Sequence, residues 1–144
     1  MAIVINNDKK NTENKNPIGI RLPFDKGNDV VGYFESTYTT FDATRENIRN
    51  LLLTNKGDRV FQPNLGMGLR RLLFENITDD LKVMITSDIQ NNLATWLPYV
   101  TIKSIDLQSS EDDIHIDRNK IKINIEFFIN NIPGTFDSVE VIIK

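Results

Sequence analysis

The chain has 144 residues, 40% of them apolar and 26% charged, a composition that supports one globular domain with a substantial core. It contains no cysteine, which excludes disulfides and thiol chemistry. No apolar run approaches the roughly 20 residues of a membrane-spanning helix, and a net charge of −3 with a pI near 5.2 argues against nucleic acid as a partner.

Residues 1–17 are polar, rich in asparagine and poor in large apolar side chains. They are expected to form a flexible arm, with 18–144 as a single α+β domain. The apolar patch at the N-terminus is too short for a signal peptide. Ile18, Ile20, Leu22 and Phe24 alternate, as an extended segment with one apolar face would. Pro23 cannot donate to a ladder, which restricts this segment to an edge strand or a surface strap. A turn over Asp25 to Asp29 and a short strand around Val31, Tyr33 and Phe34 follow.

A first helix begins near Thr40 to Asp42, with either residue as cap, and buries Ile48, Leu51 and Leu52. It stops at Asn55-Lys56-Gly57, where glycine suits a left-handed position. Val60-Phe61 is a short apolar segment, and Gln62-Pro63-Asn64 breaks the chain. Leu65, Leu69, Leu72 and Leu73 then have helical spacing, predicting a short helix from Leu65 to Phe74. Gly66 and Gly68 fit a close backbone crossing better than a phosphate loop, which would also carry a lysine.

The third helix opens at Thr78-Asp79-Asp80, whose acids suit a first turn. Its stripe is Leu81, Met84, Ile85, Ile89, Leu93 and Trp96, and Pro98 ends it. Trp96 is expected as a core anchor. Val100 and Ile102 alternate before the apolar phase slips to Ile105 and Leu107, which predicts a bulge near Ser104. A short piece around Ile114 and Ile116 follows the Glu111-Asp112-Asp113 turn. Ile121, Ile123, Ile125, Phe127 and Ile129 alternate strictly as one strand. After a turn over Asn130 to Gly134, Phe136, Val139, Val141 and Ile143 form a last strand, whose edge could pair with another chain.

Charge is distributed unevenly. Residues 45–71 carry Arg45, Arg49, Lys56, Arg59, Arg70 and Arg71 against Glu46 and Asp58. Residues 104–144 carry Arg118, Lys120, Lys122 and Lys144 against Asp106, Glu111, Asp112, Asp113, Asp117, Glu126, Asp137 and Glu140. These are either two solvated faces or the poles of a subunit suited to directional assembly.

Catalytic chemistry finds little support. His115 is the only histidine, and without cysteine it makes a zinc site improbable. It would also have to be the base of any Ser-His-Asp arrangement, and no serine has a nucleophile-elbow pattern. Glu75, Asp79 and Asp80 are the least implausible carboxylate set for glycoside hydrolysis, yet their position at a helix junction suits capping better. No catalytic, cofactor or metal site is nominated.

Asn50 to Gly66, with Leu69 to Glu75, resembles the baseplate wedge proteins of contractile-tailed phages, the gene-25-like lysozyme family with relatives in type VI secretion baseplates. The likeness covers roughly residues 17–144. It rests on the blocks Leu-Leu-x-Thr-x-Lys-Gly-x-Arg, Phe-x-Pro-x-x-Gly and Leu-Phe-Glu. Where the family commonly has Glu-Pro-Arg, this chain has Leu97-Pro98-Tyr99. The proline is kept and both charges are lost, so any partner contact those charges make in relatives is altered here.

The resemblance implies a structural role without enzymatic activity, in a tail baseplate assembled in the host cytoplasm. The implied partners are the helical core bundle of other wedge proteins and the tail sheath, which the family initiates by strand exchange. The candidate contact residues are Lys56, Arg59, Arg70 and Arg71 in the connector, Trp96, Pro98 and Tyr99 at the corner, and Val139, Val141 and Ile143 in the last strand. The expected fold is three helices on one face of a mostly antiparallel sheet. Two competing readings are a peptidoglycan-degrading tail lysozyme and a cellular anti-adaptor that inhibits a protease pathway.

Overall fold

The computed structural model describes residues 16–21, 34–75, 78–109, 120–130, 132 and 135–143. The expectations for the arm up to residue 15, Leu22 to Tyr33, the acidic turn, Ile114, His115, Ile116 and Lys144 fall outside these residues. The fold is α+β, and its chain divides into two compact units, residues 1–43 and 44–144.

In the first unit, β1 (Gly19–Ile20) pairs antiparallel with β2 (Ser36–Thr37). The pairing is extended by hydrogen bonds from Ile18 N to Thr37 O and from Arg21 N to Glu35 O, each 2.9 Å. Arg21 also reaches the Glu35 carboxylate at 2.6 Å. Ile18, Ile20 and Phe34 are all exposed, so none of these three is core.

Helix α1 (Thr40–Leu53) starts at the end of the first unit. Its cap is Thr39, one residue before the expected positions. The Thr39 hydroxyl accepts from Asp42 N at 3.1 Å and donates to Asp42 Oδ2 at 2.6 Å, a reciprocal arrangement that satisfies an orphan amide of the first turn.

In the second unit, α1 buries Ile48, Leu51 and Leu52. The next helix is a 3-10 helix over Leu69–Phe74 and not the longer helix expected from Leu65. Gly66 (φ 104) and Gly68 (φ 65) have left-handed backbone, which no helix can pass through. Residues three apart stack on a 3-10 helix, so Leu69 and Leu72 both turn inward and are buried. Helix α2 (Asp79–Trp96) is capped by Thr78, whose hydroxyl accepts from Leu81 N at 3.3 Å. Its buried stripe is Ile85, Ile89 and Leu93, narrower than expected. Met84 is exposed and Trp96 only half-buried.

The sheet is an antiparallel meander of β3 (Val100–Gln108), β4 (Ile121–Ile129) and β5 (Phe136–Ile143), in that order. Helix α2 contacts β3 and the 3-10 helix contacts β5. Every second residue of β4 is buried from Ile121 to Ile129, and Val139, Val141 and Ile143 of β5 join them on that face. The predicted bulge is present: Ile102 pairs with Phe127 but Ser104 pairs with Glu126, leaving Lys103 over. The extra residue turns Lys103 to the outer face. Its ammonium lies 3.2 Å from the Glu126 carboxylate and 4.7 Å from the centre of the Phe136 ring, bridging all three strands.

Register also neutralises the strand side. Glu126 pairs with Lys103, Glu140 with Lys122 at 3.0 Å, and Asp137 with Arg45 of α1 at 2.6 Å. Asp106 accepts from Gln108 at 2.9 Å. Of the four described acids of the pole read from composition, three are therefore compensated by a cation and, among the described residues, Asp106 is not.

Candidate functional site

The connector between α1 and the 3-10 helix is built on one carbonyl. Thr54 closes α1, its own N–H bonded to Asn50 O at 3.0 Å and its hydroxyl to the same oxygen at 2.6 Å. Thr54 O then accepts from Met67 N at 2.9 Å and Gly68 N at 3.2 Å, so residues 55–66 form a closed loop. Inside it, Asp58 Oδ2 accepts from Asn55 N at 3.0 Å, and Gly57 N donates to Pro63 O at 2.9 Å. Gln62 N donates to Arg59 O and Leu65 N to Gln62 O, each at 3.1 Å. Gly57 takes the left-handed conformation (φ 93) that its sequence position suggested. Met67 is buried and anchors the far end.

A loop braced this way holds its tip still. Lys56, Arg59, Arg70 and Arg71 are all exposed. Among the described residues, no carboxylate lies within ion-pair distance of any of the four. The same connector carries side chains that the sequence did not nominate as contacts: Val60 is 87% exposed, Phe61 98% and Phe74 89%.

The corner after α2 is a second braced feature. Leu97 N bonds to Leu93 O at 2.8 Å and Val100 N to Leu97 O at 2.9 Å, which turns the chain into β3. Asn130, at the end of β4, fastens it: its N–H donates to Tyr99 O at 3.0 Å and its side-chain amide to Pro98 O at 3.4 Å. Thr101 Oγ1 donates to Asn130 Oδ1 at 2.5 Å, and Asn47 of α1 donates to the Tyr99 hydroxyl at 3.2 Å. Pro98 is exposed, while Trp96 and Tyr99 are partly covered.

The last strand is different in kind. Val139, Val141 and Ile143 are buried, so these side chains belong to the core and are not available to a partner. What β5 can offer is its backbone: it has β4 on one side and, among the described residues, no strand on the other.

Glu75, Asp79 and Asp80 are exposed at the junction before α2, and Asp79 lies 3.7 Å from Lys82. None has the apolar enclosure that a general acid uses. Among the described residues there is no cluster of three or more candidate metal ligands, and no helix is long and apolar enough to cross a membrane.

Comparison with known proteins places these features. A candidate tail lysozyme from Geobacter sulfurreducens has a similar fold, with a TM-score of 0.62 and 21% identity over 76% of this chain and 96% of its own. A chain of the anti-feeding prophage baseplate is similar at a TM-score of 0.61 and 25% identity, over 78% of this chain and 85% of its own. No curated protein gave a significant match. The family profile described as Baseplate wedge protein gp25 matches residues 41–133, which include the connector and the Pro98 corner. The chain therefore belongs to the baseplate wedge protein gp25 family, structural proteins of contractile-tail baseplates.

Proposed function

We propose that the chain is a structural wedge subunit that docks on other baseplate proteins through the connector and the Pro98 corner, and that starts sheath assembly at the free edge of β5. The observation that carries the docking is the contrast in charge satisfaction. Glu126, Glu140 and Asp137 of the sheet are paired with cations of the chain, whereas Lys56, Arg59, Arg70 and Arg71 are exposed around a loop held by its own hydrogen bonds. Cations without a carboxylate among the described residues, on a rigid support, suit a partner of opposite charge. The partners would be the wedge core proteins and the sheath protein.

Reversing charge at Arg70 and Arg71 tests the connector, because both are exposed and the fold should tolerate the change. Wedge assembly should weaken, most clearly at low ionic strength; unchanged assembly would mark a merely solvated face. For β5, truncation is a poor test, since it removes Val139, Val141 and Ile143 from the core. Hydrogen exchange is the better one. Amides of Phe136–Ile143 should gain protection when sheath protein is added, and unchanged exchange in a complex that forms would sink the strand reading.

The tail-lysozyme alternative is separated by a zymogram on cell wall. Robust lysis by the purified chain, abolished in Glu75→Gln, would overturn the structural reading.

A further inference from the structure

The exposed aromatic side chains of the connector are not explained by its charge. Phe61 is 98% exposed and Phe74 89%, beside Val60 at 87%. Exposed phenylalanine is unfavourable in water and contributes nothing to this fold. On the 3-10 helix, three residues per turn stack Arg71 directly beneath Phe74 while Leu69 and Leu72 face the core. At the loop tip, Arg59 precedes Val60 and Phe61. Each ring thus has a cation as its neighbour, in chain or on the helix surface.

We propose that Phe61 and Phe74 are the anchors of an interface, and that its occupant is another protein presenting apolar pockets rimmed by carboxylates. The proposal rests on the wedge reading and deepens it by naming the partner's chemistry. Phenylalanine and arginine are enriched in interface cores, where a few residues carry most of the binding energy. The loop is already fixed by the bonds from Met67 and Gly68 to Thr54 O and from Gly57 to Pro63 O, so little ordering entropy is lost on docking. An acidic occupant complements these exposed cations.

A second copy of this chain is a poor fit. Its exposed sheet face also carries aromatics, Phe128 and Phe136, but Glu126 and Glu140 there are already paired with lysines. Nucleic acid is also a poor fit. Valine offers no stacking face, and a chain of net charge −3 lacks the broad basic field that phosphate backbones require.

The test uses the full chain, the purified baseplate proteins of the same tail, and a 20-nucleotide dT oligonucleotide as a control ligand. Affinities are measured at low and high salt for the unaltered chain, Phe61→Ala, Phe74→Ala and Phe61→Leu. Phe61→Ala should lower affinity for one baseplate protein roughly 30-fold, with Phe74→Ala similar and Phe61→Leu milder. Thermal melting should not move, because neither ring is buried. If the unaltered chain binds and Phe61→Ala and Phe74→Ala bind equally well, the inference fails and the wedge reading stands. If the unaltered chain binds none of the baseplate proteins, the wedge reading itself fails. Phenylalanine-dependent binding of the oligonucleotide in place of a protein would overturn the proposal.

Discussion

Gly66 lies against the backbone of Thr54 so closely that a Cβ on it would sit 2.8 Å from the Thr54 carbonyl carbon and closer still to its oxygen. That oxygen is the acceptor that closes the connector, so the contact cannot relax without opening the loop. Gly66 also has φ 104, which side chains resist. Gly66→Ala should therefore cost about 2 kcal/mol or more. Gly57 also has positive φ, but a Cβ on it would meet nothing within 4 Å, and Gly57→Ala should cost only about 1 kcal/mol. Urea denaturation of both variants checks the ordering; equal losses would show that backbone conformation alone decides.

Phe127 and Phe128 are neighbours in β4 on opposite faces, 0% and 38% exposed. Phe127→Ala should lose about 3–5 kcal/mol through lost burial and the cavity left behind. Phe128→Ala should lose less than about 1 kcal/mol. Chemical denaturation of each separates the two faces, and a large loss from Phe128→Ala would place more of the core on the outer face than the burial pattern does.

Arg45 Nε donates to Asp137 Oδ2 at 2.6 Å and ties α1 to the start of β5. The pair is only partly exposed, so it is worth more than a surface ion pair and is less screened by salt. A double-mutant cycle of Arg45→Ala and Asp137→Ala should return a coupling of about 1 kcal/mol. A coupling near zero would mean that packing, and not this pair, holds α1 to the strand.

The Glu126 carboxyl is held below the ordinary carboxylate range, first by its hydrogen bond to Lys103, then by Ser104 and by the charge of Lys103. A depressed folded value means that protonation opposes the fold. Its contribution is complete above the ordinary carboxylate range and is lost as pH falls through the folded value. Acidification should thus destabilise the chain, and Glu126→Gln should lower stability slightly at neutral pH and converge with the unaltered chain in acid, which removes a small part of the acid limb. Denaturation midpoints across an acid series measure it; superimposable profiles would show that Lys103 does not hold Glu126 in solution.

Much of the fold was legible because the periods of its elements are local. Strict alternation specified β4, and the slip from Ile102 to Ile105 specified the bulge, because side-chain direction follows position along a strand whatever packs on it. Thr78 before two acids announced the start of α2. The connector's turns were legible in Gly57 and Pro63, and charge alone marked a basic stretch, of which Lys56, Arg59, Arg70 and Arg71 are exposed while Arg45 and Arg49 are paired with Asp137 and Glu46. Tertiary structure decided the rest. Leu65 had helical spacing, but the Thr54 carbonyl recruits Met67 and Gly68 and leaves the helix to begin at Leu69. Met84 matched the stripe of α2, yet only the width of the surface facing the helix determines how much of a stripe is covered. Among the described residues, Glu126 and Glu140 are in ion pairs because strand register and the bulge bring Lys103 to Glu126 and Lys122 to Glu140, relationships that composition cannot express. Phe61 stands in water for the same reason: local sequence specifies its loop, but nothing in the described fold packs over its ring.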